Sequence, residues 1–345
     1  MQRLLGVLLM VVALYAFELW QFEPARTAAN HLDLARRLGF YGVITLGVGV
    51  LIISGGIDLS IGSLVGLSAV AFGVLVQSGS LAAPAAALVV VLAAPLVGLF
   101  HGLLVTKLRL QPFLVTLCGL FIYRGIARTL TQTTVGLRVT ADTMLGSTTG
   151  LSPDEITQKL NALAPTAAEL QPRADWLADL LVRGRPLGVP NVLLVMLGLA
   201  AVLGLLLHGT VFGRRLYAVG SNEQAARYAG IAVDRVKIIA YMICSACAGL
   251  AGVLYLAEYS TATPSNAGSL LELYAITGAV LGGCALRGGE GTVPGMILGA
   301  AVLPLLNKLC SFDRRIGSEQ EYTVIGVALL LGTIANELIG RRTRR

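Results

Sequence analysis

Residues 59–106 read LSIGSLVGLSAVAFGVLVQSGSLAAPAAALVVVLAAPLVGLFHGLLVT, and this stretch decides the fold. It contains no Asp, Glu, Lys or Arg. A helix rises about 1.5 Å per residue and needs about 20 apolar residues to cross a hydrocarbon core about 30 Å thick. The run is therefore more than twice too long for one membrane span. Gln77-Ser78-Gly79-Ser80 supplies the polar and flexible residues of a turn, which predicts two spans.

Similar uncharged runs recur along the whole chain. Only 13% of the 345 residues are charged, and the mean hydropathy is +0.77. A lipid-facing β-barrel would alternate apolar and polar residues over about ten positions, whereas these runs are continuous. We therefore predict an all-α polytopic membrane helix bundle of about ten transmembrane helices, forming a single domain over residues 1–345. The predicted spans are 4–22, 39–57, 60–76, 82–106, 111–128, 188–212, 236–257, 272–286, 291–308 and 322–338.

The basic residues predict the orientation of this bundle. With the N-terminus inside, thirteen Lys and Arg fall in short inner segments, and the short outer segments carry only Arg26, Arg36, Arg37, Lys308, Arg314 and Arg315. Basic residues accumulate on the cytoplasmic side, so both termini are expected in the cytoplasm. The net charge of +7 is then a topology signal and gives no reason to expect nucleic acid as a partner.

One long polar segment, residues 129–187, interrupts the spans as an insertion on the outer, periplasmic side. Ser152-Pro153-Asp154-Glu155 predicts a capped helix near 153–163, and residues 175–181 predict a second, amphipathic piece at the membrane surface. This insertion either forms a lid over a pathway or has no direct role.

The first motif that carries function is residues 54–62, Ser-Gly-Gly-Ile-Asp-Leu-Ser-Ile-Gly. Gly55 and Gly56 can break a helix, and Asp58 is the only ionised residue between Arg37 and Lys107. An acid at membrane depth faces either an interface or a cavity lined by protein. In one interpretation Asp58 or Ser60 caps the next span. In the other they contact the solute or form part of a gate.

The second motif lies in residues 213–235, which form the longest predicted cytoplasmic loop. Ser221 with Gln224 fits a capping box, and Gly230 can end the helix in a left-handed conformation. A helix of about eight residues is not stable alone, so it must lie against its own bundle or a partner.

Glycines and other small residues at fourth positions, as in Gly62-xxx-Gly66 and Gly278-xxx-Gly282, predict close packing between the spanning helices.

The sequence lacks the residues that several kinds of chemistry require. The sequence has no Gly-Lys dipeptide and therefore no phosphate-binding loop of the G-x-x-x-x-G-K type, so a partner would have to bind and hydrolyse any ATP. Cys244 and Cys247 lie inside an apolar run and are predicted to be buried side chains, not metal ligands. His31, His101 and His208 lie far apart and are interpreted as satisfied or interfacial. We expect no catalytic residue, metal or cofactor, and the chain is not expected to be an enzyme.

The motifs resemble those of a known family, the permease subunits of bacterial ribose-type sugar ATP-binding-cassette (ABC) importers. They are G-G-I-D-L-S at 55–60, Q-P-F-L-V-T-L at 111–117, Y-R-G at 123–125, G-R-x-x-Y-A-x-G-x-N-x-x-A-A-x-x-A-G-I at 213–231, and L-E-L-Y-A-I-T-G-A-V-L-G-G at 271–283 followed by L-R-G-G-E-G. The resemblance runs in order from about residue 35 to 338. Residues 135–187 look longer than the corresponding loop of the family.

The resemblance implies a multi-pass protein of the bacterial inner membrane that works as a dimer with a second copy or a sister permease. It also implies a periplasmic substrate-binding protein on one side, two copies of an ATPase on the other, and contact with membrane lipid. Residues implied on the pathway or gate are Gly55, Gly56, Asp58, Ser60, Gln111 and Phe113. Residues implied in coupling to the ATPase are Asn222, Glu223, Ala225, Ala226, Arg227, Tyr228, Ala229 and Gly230. Ala225, Ala226 and Ala229 are expected to form a flat face that sits in a groove on the ATPase, with Arg227 beside it pairing with an acidic rim.

The solute implied by the resemblance is a monosaccharide such as ribose, galactose or xylose. Related permeases carry nucleosides, furanosyl autoinducer signals or branched-chain amino acids, and these remain alternatives. A secondary transporter driven by an ion gradient is an alternative of another class. Such a carrier is expected to have carboxylates within its spans, whereas Asp58, Glu258 and Glu272 lie near predicted span ends.

Overall fold

Long apolar runs form helices in this chain because backbone groups in lipid must bond within their own segment. The computed structural model describes residues 2–137 and 176–313, together with 152, 154–155, 157–158, 320, 323–327 and 330. The α-helices of the described residues are α1 (Gln2–Gln21), α2 (Ala28–Ile53), α3 (Ile61–Gln77), α4 (Ala83–Thr106), α5 (Pro112–Leu130), α6 (Asn191–Gly204), α7 (Val211–Ser221), α8 (Glu223–Tyr228), α9 (Val233–Tyr259), α10 (Leu271–Leu281) and α11 (Val293–Phe312).

Seven of these helices are long and apolar enough to cross a membrane: α1, α2, α4, α5, α6 with its π-helical extension Leu205–Gly209, α9 and α11. The apolar helices α3 and α10 have only 17 and 11 residues. Nine of the ten predicted spans therefore correspond to apolar helices. The tenth, 322–338, lies mostly outside the described residues, although 323–327 are helical.

The ends of two predicted spans were wrong. Helix α2 begins at Ala28 and not at 39, because the charges in its first turns pair with one another. Asp33 lies 2.9 Å from Arg37 and 2.6 Å from Lys308 of α11, so Arg37 is part of the helix and not of an outer loop. Helix α10 ends at Leu281 and not at 286, since Gly283 adopts a φ of 95° that a right-handed helix cannot continue.

Contacts divide the chain into two units. The first contains residues 1–57, 193–240 and 273–345, with the fully buried second half of α2 in its core. Helix α11 packs against both α2 and α1. The approach is close: a Cβ at Gly49 would lie 2.5 Å from Met296 Sδ, and one at Gly278 would lie 3.4 Å from Ala300 Cα.

The second unit contains residues 58–192 and 241–272. Helix α3 packs against α4 and α5, and its small residues face backbone. A Cβ at Gly66 would overlap the carbonyl of Ala267, and one at Gly252 would lie 2.8 Å from Val65 O. The predicted close packing at small residues is therefore confirmed in both units.

Part of the polar insertion lies among the described residues and belongs to the second unit. Ser152 and Glu155 bond to each other in both directions, which confirms the predicted helix start. Residues 176–183 are helical, as predicted, and Arg183 donates to Ser260 Oγ at 3.1 Å. Two short strands, β1 (Val135–Gly136) and β2 (Thr261–Ala262), pair antiparallel. The remainder of the insertion lies outside the described residues.

Candidate functional site

The turn before α3 carries two of the predicted pathway residues, and both are completely enclosed. Asp58 is 1% exposed and Ser60 is fully buried. Oδ1 of Asp58 accepts two bonds from Ser60, from its backbone N at 2.7 Å and from its Oγ at 2.6 Å. These two bonds close a turn between Asp58 and Ser60, and Ser60 is the residue directly before α3. Ser60 occupies the N-cap position but makes no side-chain bond to a helix amide, so the expected capping by its hydroxyl was wrong.

Two residues that sequence reasoning left out complete this site. His101 of α4 is 1% exposed, and its Nε2 lies 2.7 Å from the hydroxyl of Tyr123 of α5. Its Nδ1 lies 3.6 Å from Asp58 Oδ2. Asp58, His101 and Tyr123 thus form a continuous polar row across three segments of the second unit. The bond to Tyr123 agrees with the interpretation of His101 as a satisfied side chain.

Gly119 of α5 makes room for this row. A Cβ at that position would lie 2.9 Å from His101 Nε2 and 3.1 Å from both Ser60 Cβ and Tyr123 Cε2. Gly119 is seven residues into α5, which corresponds to about 10 Å along the helix. The turn at Asp58 is therefore packed against the interior of a membrane-spanning helix. Non-helical backbone at such depth is tolerated only where protein surrounds it or a cavity is lined by it.

A second buried carboxylate lies in the same unit. Glu272, in the first turn of α10, is 9% exposed, and a Cβ at Gly62 would collide with it. Arg124 of α5 donates to the carbonyl of Ala267 and interacts electrostatically with Glu272. Two of the acids that the sequence placed near span ends, Asp58 and Glu272, are thus buried, and their positions alone do not separate a passive permease from an ion-coupled carrier.

The other predicted pathway residues lie elsewhere. Gly55 and Gly56 follow α2 in the first unit, where Gly55 has a φ of 79° and ends the helix. Gln111 and Phe113 are exposed at the start of α5. Phe113 precedes Gly119 by six residues, or about 9 Å along the helix. Of the predicted pathway residues in the second unit, Asp58 and Ser60 are buried, and Gln111 and Phe113 lie at the exposed start of α5.

The predicted coupling segment, 213–235, contains two helices where the sequence analysis expected one. Helix α7 was missed; it begins after Thr210, whose hydroxyl accepts from Gly213 N at 3.3 Å. Helix α8 has six residues and is capped by Asn222, whose Oδ1 accepts from Ala225 N at 2.9 Å. The predicted capping box was wrong, since Ser221 ends α7 and donates to Tyr217 O.

Gly230 ends α8 as predicted. Its φ is 77°, and its amide bonds to Arg227 O at 3.0 Å while the next amide bonds to Ala226 O. This is the left-handed termination that only Gly adopts without strain. The helix is therefore fixed at both ends in spite of its length.

Ion pairs attach α8 to the start of α9. Glu223 accepts from Lys237 and from Arg227, which also reaches Asp234 at 2.9 Å. Burial opposes ionisation of Glu223, but these two cations outweigh it and lower the pKa of that carboxyl. The predicted pairing of Arg227 with an acidic rim of the ATPase would have to compete with these internal partners.

The two sides of α8 differ sharply. Ala226 is 4% exposed and is buried within the chain, whereas Tyr228 is 92% exposed. Ala225 and Ala229 are also exposed. The face predicted to consist of all three alanines is therefore wrong at Ala226, and the outward face is formed by Ala225, Tyr228 and Ala229.

Helix α7 is seated on backbone of the first unit. A Cβ at Gly220 would overlap Ile53 O and lie 2.5 Å from Gly289 N. The Gly289 amide donates to Ile53 O at 2.9 Å, so α7 contacts the same carbonyl that joins the end of α2 to the loop after α10. Tyr217 donates to Gly291 O at 2.8 Å, and burial raises the pKa of that phenol to about 12, so it remains a donor at neutral pH.

Within the described residues, no group of three or more His, Cys, Asp or Glu side chains is arranged to hold a metal ion. Cys244 and Cys247 are buried free thiols, as predicted.

Comparison with known proteins gives consistent matches along the chain. The family model described as "Branched-chain amino acid transport system / permease component" matches residues 30–332. A ribose import permease protein of Escherichia coli is 32% identical over 312 residues, covering 90% of this chain and 86% of the relative. That of Bacillus subtilis is 31% identical, covering 97% and 92%. A xylose transport system permease protein of Escherichia coli is 28% identical, covering 96% and 91%. No solved structure matches.

Proposed function

This chain belongs to the transport-system permease family, as a permease of the ribose-type ABC importers, and we propose that it conducts a monosaccharide into the cell. The observation that carries the proposal is the near full-length similarity to two ribose permeases and a xylose permease. The family is a transport component and not an enzyme. The chain is a multi-pass protein of the inner membrane, and we further propose that both termini are cytoplasmic.

ATP hydrolysis by a separate subunit is part of the proposal. No phosphate-binding loop occurs in the sequence, so the energy must arrive through contact with another chain. We propose that the outward face of α8 docks on that ATPase, since Tyr228 is an exposed aromatic side chain on a helix fixed at both ends. Aromatic anchors of this kind contribute a large share of binding energy at interfaces.

The remaining assembly follows from the same resemblance. A second copy or a sister permease would complete the pathway, and a periplasmic binding protein would deliver the solute on the side opposite α8. The exposed start of α5, with Gln111 and Phe113, is available to the second permease.

Uptake by the reconstituted complex tests the proposed function. Proteoliposomes that contain this chain and its ATPase are supplied with binding protein loaded with labelled ribose, xylose or leucine. ATP-dependent uptake of a pentose supports the proposal. Uptake of leucine alone would assign the branched-chain amino acid function named in the family description, and uptake driven by an ion gradient without the ATPase would contradict the importer altogether.

Docking through Tyr228 has a separate test. Tyr228→Ala should lower the affinity for the ATPase by about tenfold or more, and Tyr228→Phe, which keeps the ring, should retain it. The measurement is the amount of ATPase that co-purifies at limiting concentration. Equal co-purification of both variants with the wild type would show that α8 does not dock through this side chain.

A further inference from the structure

Two buried polar atoms face each other in the second unit. Asp58 Oδ2 and His101 Nδ1 lie 3.6 Å apart, each on a side chain that is 1% exposed. Within the described residues, neither atom has a hydrogen-bond partner. Buried polar atoms are nearly always bonded, so an unbonded pair that points at each other needs an explanation.

The hydrogen-bond directions along the polar row depend on which nitrogen of His101 carries the proton. A neutral imidazole carries its proton on one nitrogen only. If that proton were on Nε2, the lone pair of Nδ1 would face the carboxylate of Asp58, which is also an acceptor. With the proton on Nδ1, the ring points a donor at Asp58, and Nε2 accepts from the Tyr123 hydroxyl at 2.7 Å. Electrostatics therefore favours the tautomer with the proton on Nδ1.

We propose that His101 is a positioning residue for transport: its ring, with a proton on Nδ1, holds the Asp58–Ser60 turn at the start of α3. This role rests on the proposed transport function. Oδ1 of Asp58 is occupied by Ser60, so Oδ2 is the oxygen left to bind the ring. The ring thereby connects α4 and α5 to a non-helical segment packed against the interior of α5.

Other groups around the ring come from each neighbouring element. Helix α5 contributes Tyr123, and α9 contributes the Tyr241 ring, edge-on at 6.3 Å, together with Cys244, which interacts electrostatically with Asp58. Asp58 supplies the negative charge. Tyr123 and Asp58 are therefore the two polar groups that the ring nitrogens of His101 face.

A spectroscopic test needs no transport. The chain contains three histidines, so ¹⁵N-histidine labelling in nanodiscs gives few signals, and the His101 signals are those lost in His101→Asn. We expect His101 at neutral pH to show the tautomer with the proton on Nδ1. The tautomer with the proton on Nε2 would overturn the proposal, whether or not the complex carries a sugar.

A matched pair of variants tests the role in transport. In His101→Asn the amide nitrogen replaces Nδ1 and can reach Asp58, whereas in His101→Gln it replaces Nε2 and can reach only Tyr123. Import is measured at neutral pH with the solute that the wild-type complex carries. Thermal unfolding and size-exclusion profiles establish that each variant is folded.

The expected outcome has two parts. The Asn variant keeps a near-normal rate, and the Gln variant is slower by about tenfold. The role in transport is wrong if Asn and Gln give equal rates. If one variant does not fold, the signals lost in the other variant assign His101, and the tautomer measurement decides alone. Absence of sugar uptake by the wild type would contradict the proposed function and leave the tautomer result unaffected.

Discussion

Gly220→Ala should separate α7 from the end of α2. The added Cβ would overlap Ile53 O and lie 2.5 Å from Gly289 N. Both neighbours are backbone atoms, so no side chain can rotate away. Relief requires a shift of α7 itself, and because Asn222 follows α7 directly, α8 shifts with it. Overpacking of this kind costs about 1–3 kcal/mol.

Gly198→Ala is the matched control. Gly198 is also helical, in α6, and an added Cβ there would meet nothing within 4 Å. Replacement of Gly by Ala in an open helical position stabilises a helix by up to about 1 kcal/mol. The two variants carry the same chemical change and are expected to shift stability in opposite directions.

The assay combines thermal unfolding of the purified chain with uptake by the reconstituted complex. For Gly220→Ala we expect a lower unfolding temperature, retained co-purification of the ATPase through the intact outward face of α8, and reduced uptake per ATP hydrolysed. Gly198→Ala should match or exceed the wild type in all three. A Gly220→Ala variant that unfolds and transports like the control would refute the seating of α7 on Ile53 and Gly289 as the route from α8 to α2.

Three further predictions concern the polar row and the ion pairs. Gly119→Ala should reduce transport, because its Cβ would lie 2.9 Å from the imidazole of the row, whereas Gly125→Ala, with open space around it, should not; uptake measures both. Asp58→Asn should express normally, since its amide oxygen can still accept from the turn, but should transport poorly; near-normal uptake, with lost expression of Asp58→Leu, would leave only a capping role. Glu223→Gln should destabilise α8 on α9 by up to about 1 kcal/mol at neutral pH. Burial opposes the ionisation of Glu223, but its cation partners lower the pKa of the carboxyl below the ordinary 4.5. Its contribution is therefore complete above about pH 4.5 and disappears as the pH falls through the folded-state value, so wild type and variant should converge in acid unfolding curves.

The helices were predictable because a charge gap of bilayer length has only one solution in lipid. The ends of the helices were harder to predict. The first turns of α2 contain Asp33, Arg36 and Arg37, which look like a loop in sequence, and their neutralisation depends on Lys308, a residue distant in the chain. Helix α7 was missed for a related reason: its arginines interrupt the hydropathy, and its stability comes from contact with Ile53 and Gly289 backbone, which no local pattern encodes.

Only part of this buried site could be identified from the sequence. Asp58 and Ser60 were identified because an acid beside two glycines is unusual in an apolar run. His101 and Tyr123 were not identified, because a single histidine in a membrane helix most often has no functional role. Only the fold shows that His101 lies 3.6 Å from Asp58. The useful signal was that Asp58 and His101 are the only Asp, Glu, Lys, Arg or His residues between Arg37 and Lys107, which are two ionisable groups in a long apolar stretch. Such groups lower their cost at membrane depth by pairing with each other.

The orientation of α8 shows why small residues are ambiguous. Alanine permits close backbone approach to the chain's own bundle and to a partner alike, so the presence of three alanines cannot choose between these surfaces. Helical geometry narrows the choice, because neighbours such as Ala225 and Ala226 point about 100° apart, while positions three and four residues apart share a face. Because Ala226 is buried within the chain, the exposed face of α8 consists of Ala225, Tyr228 and Ala229. A charge at Ala226 would therefore disrupt the permease itself, and the same charge at Ala229 would disrupt only the docking of a partner.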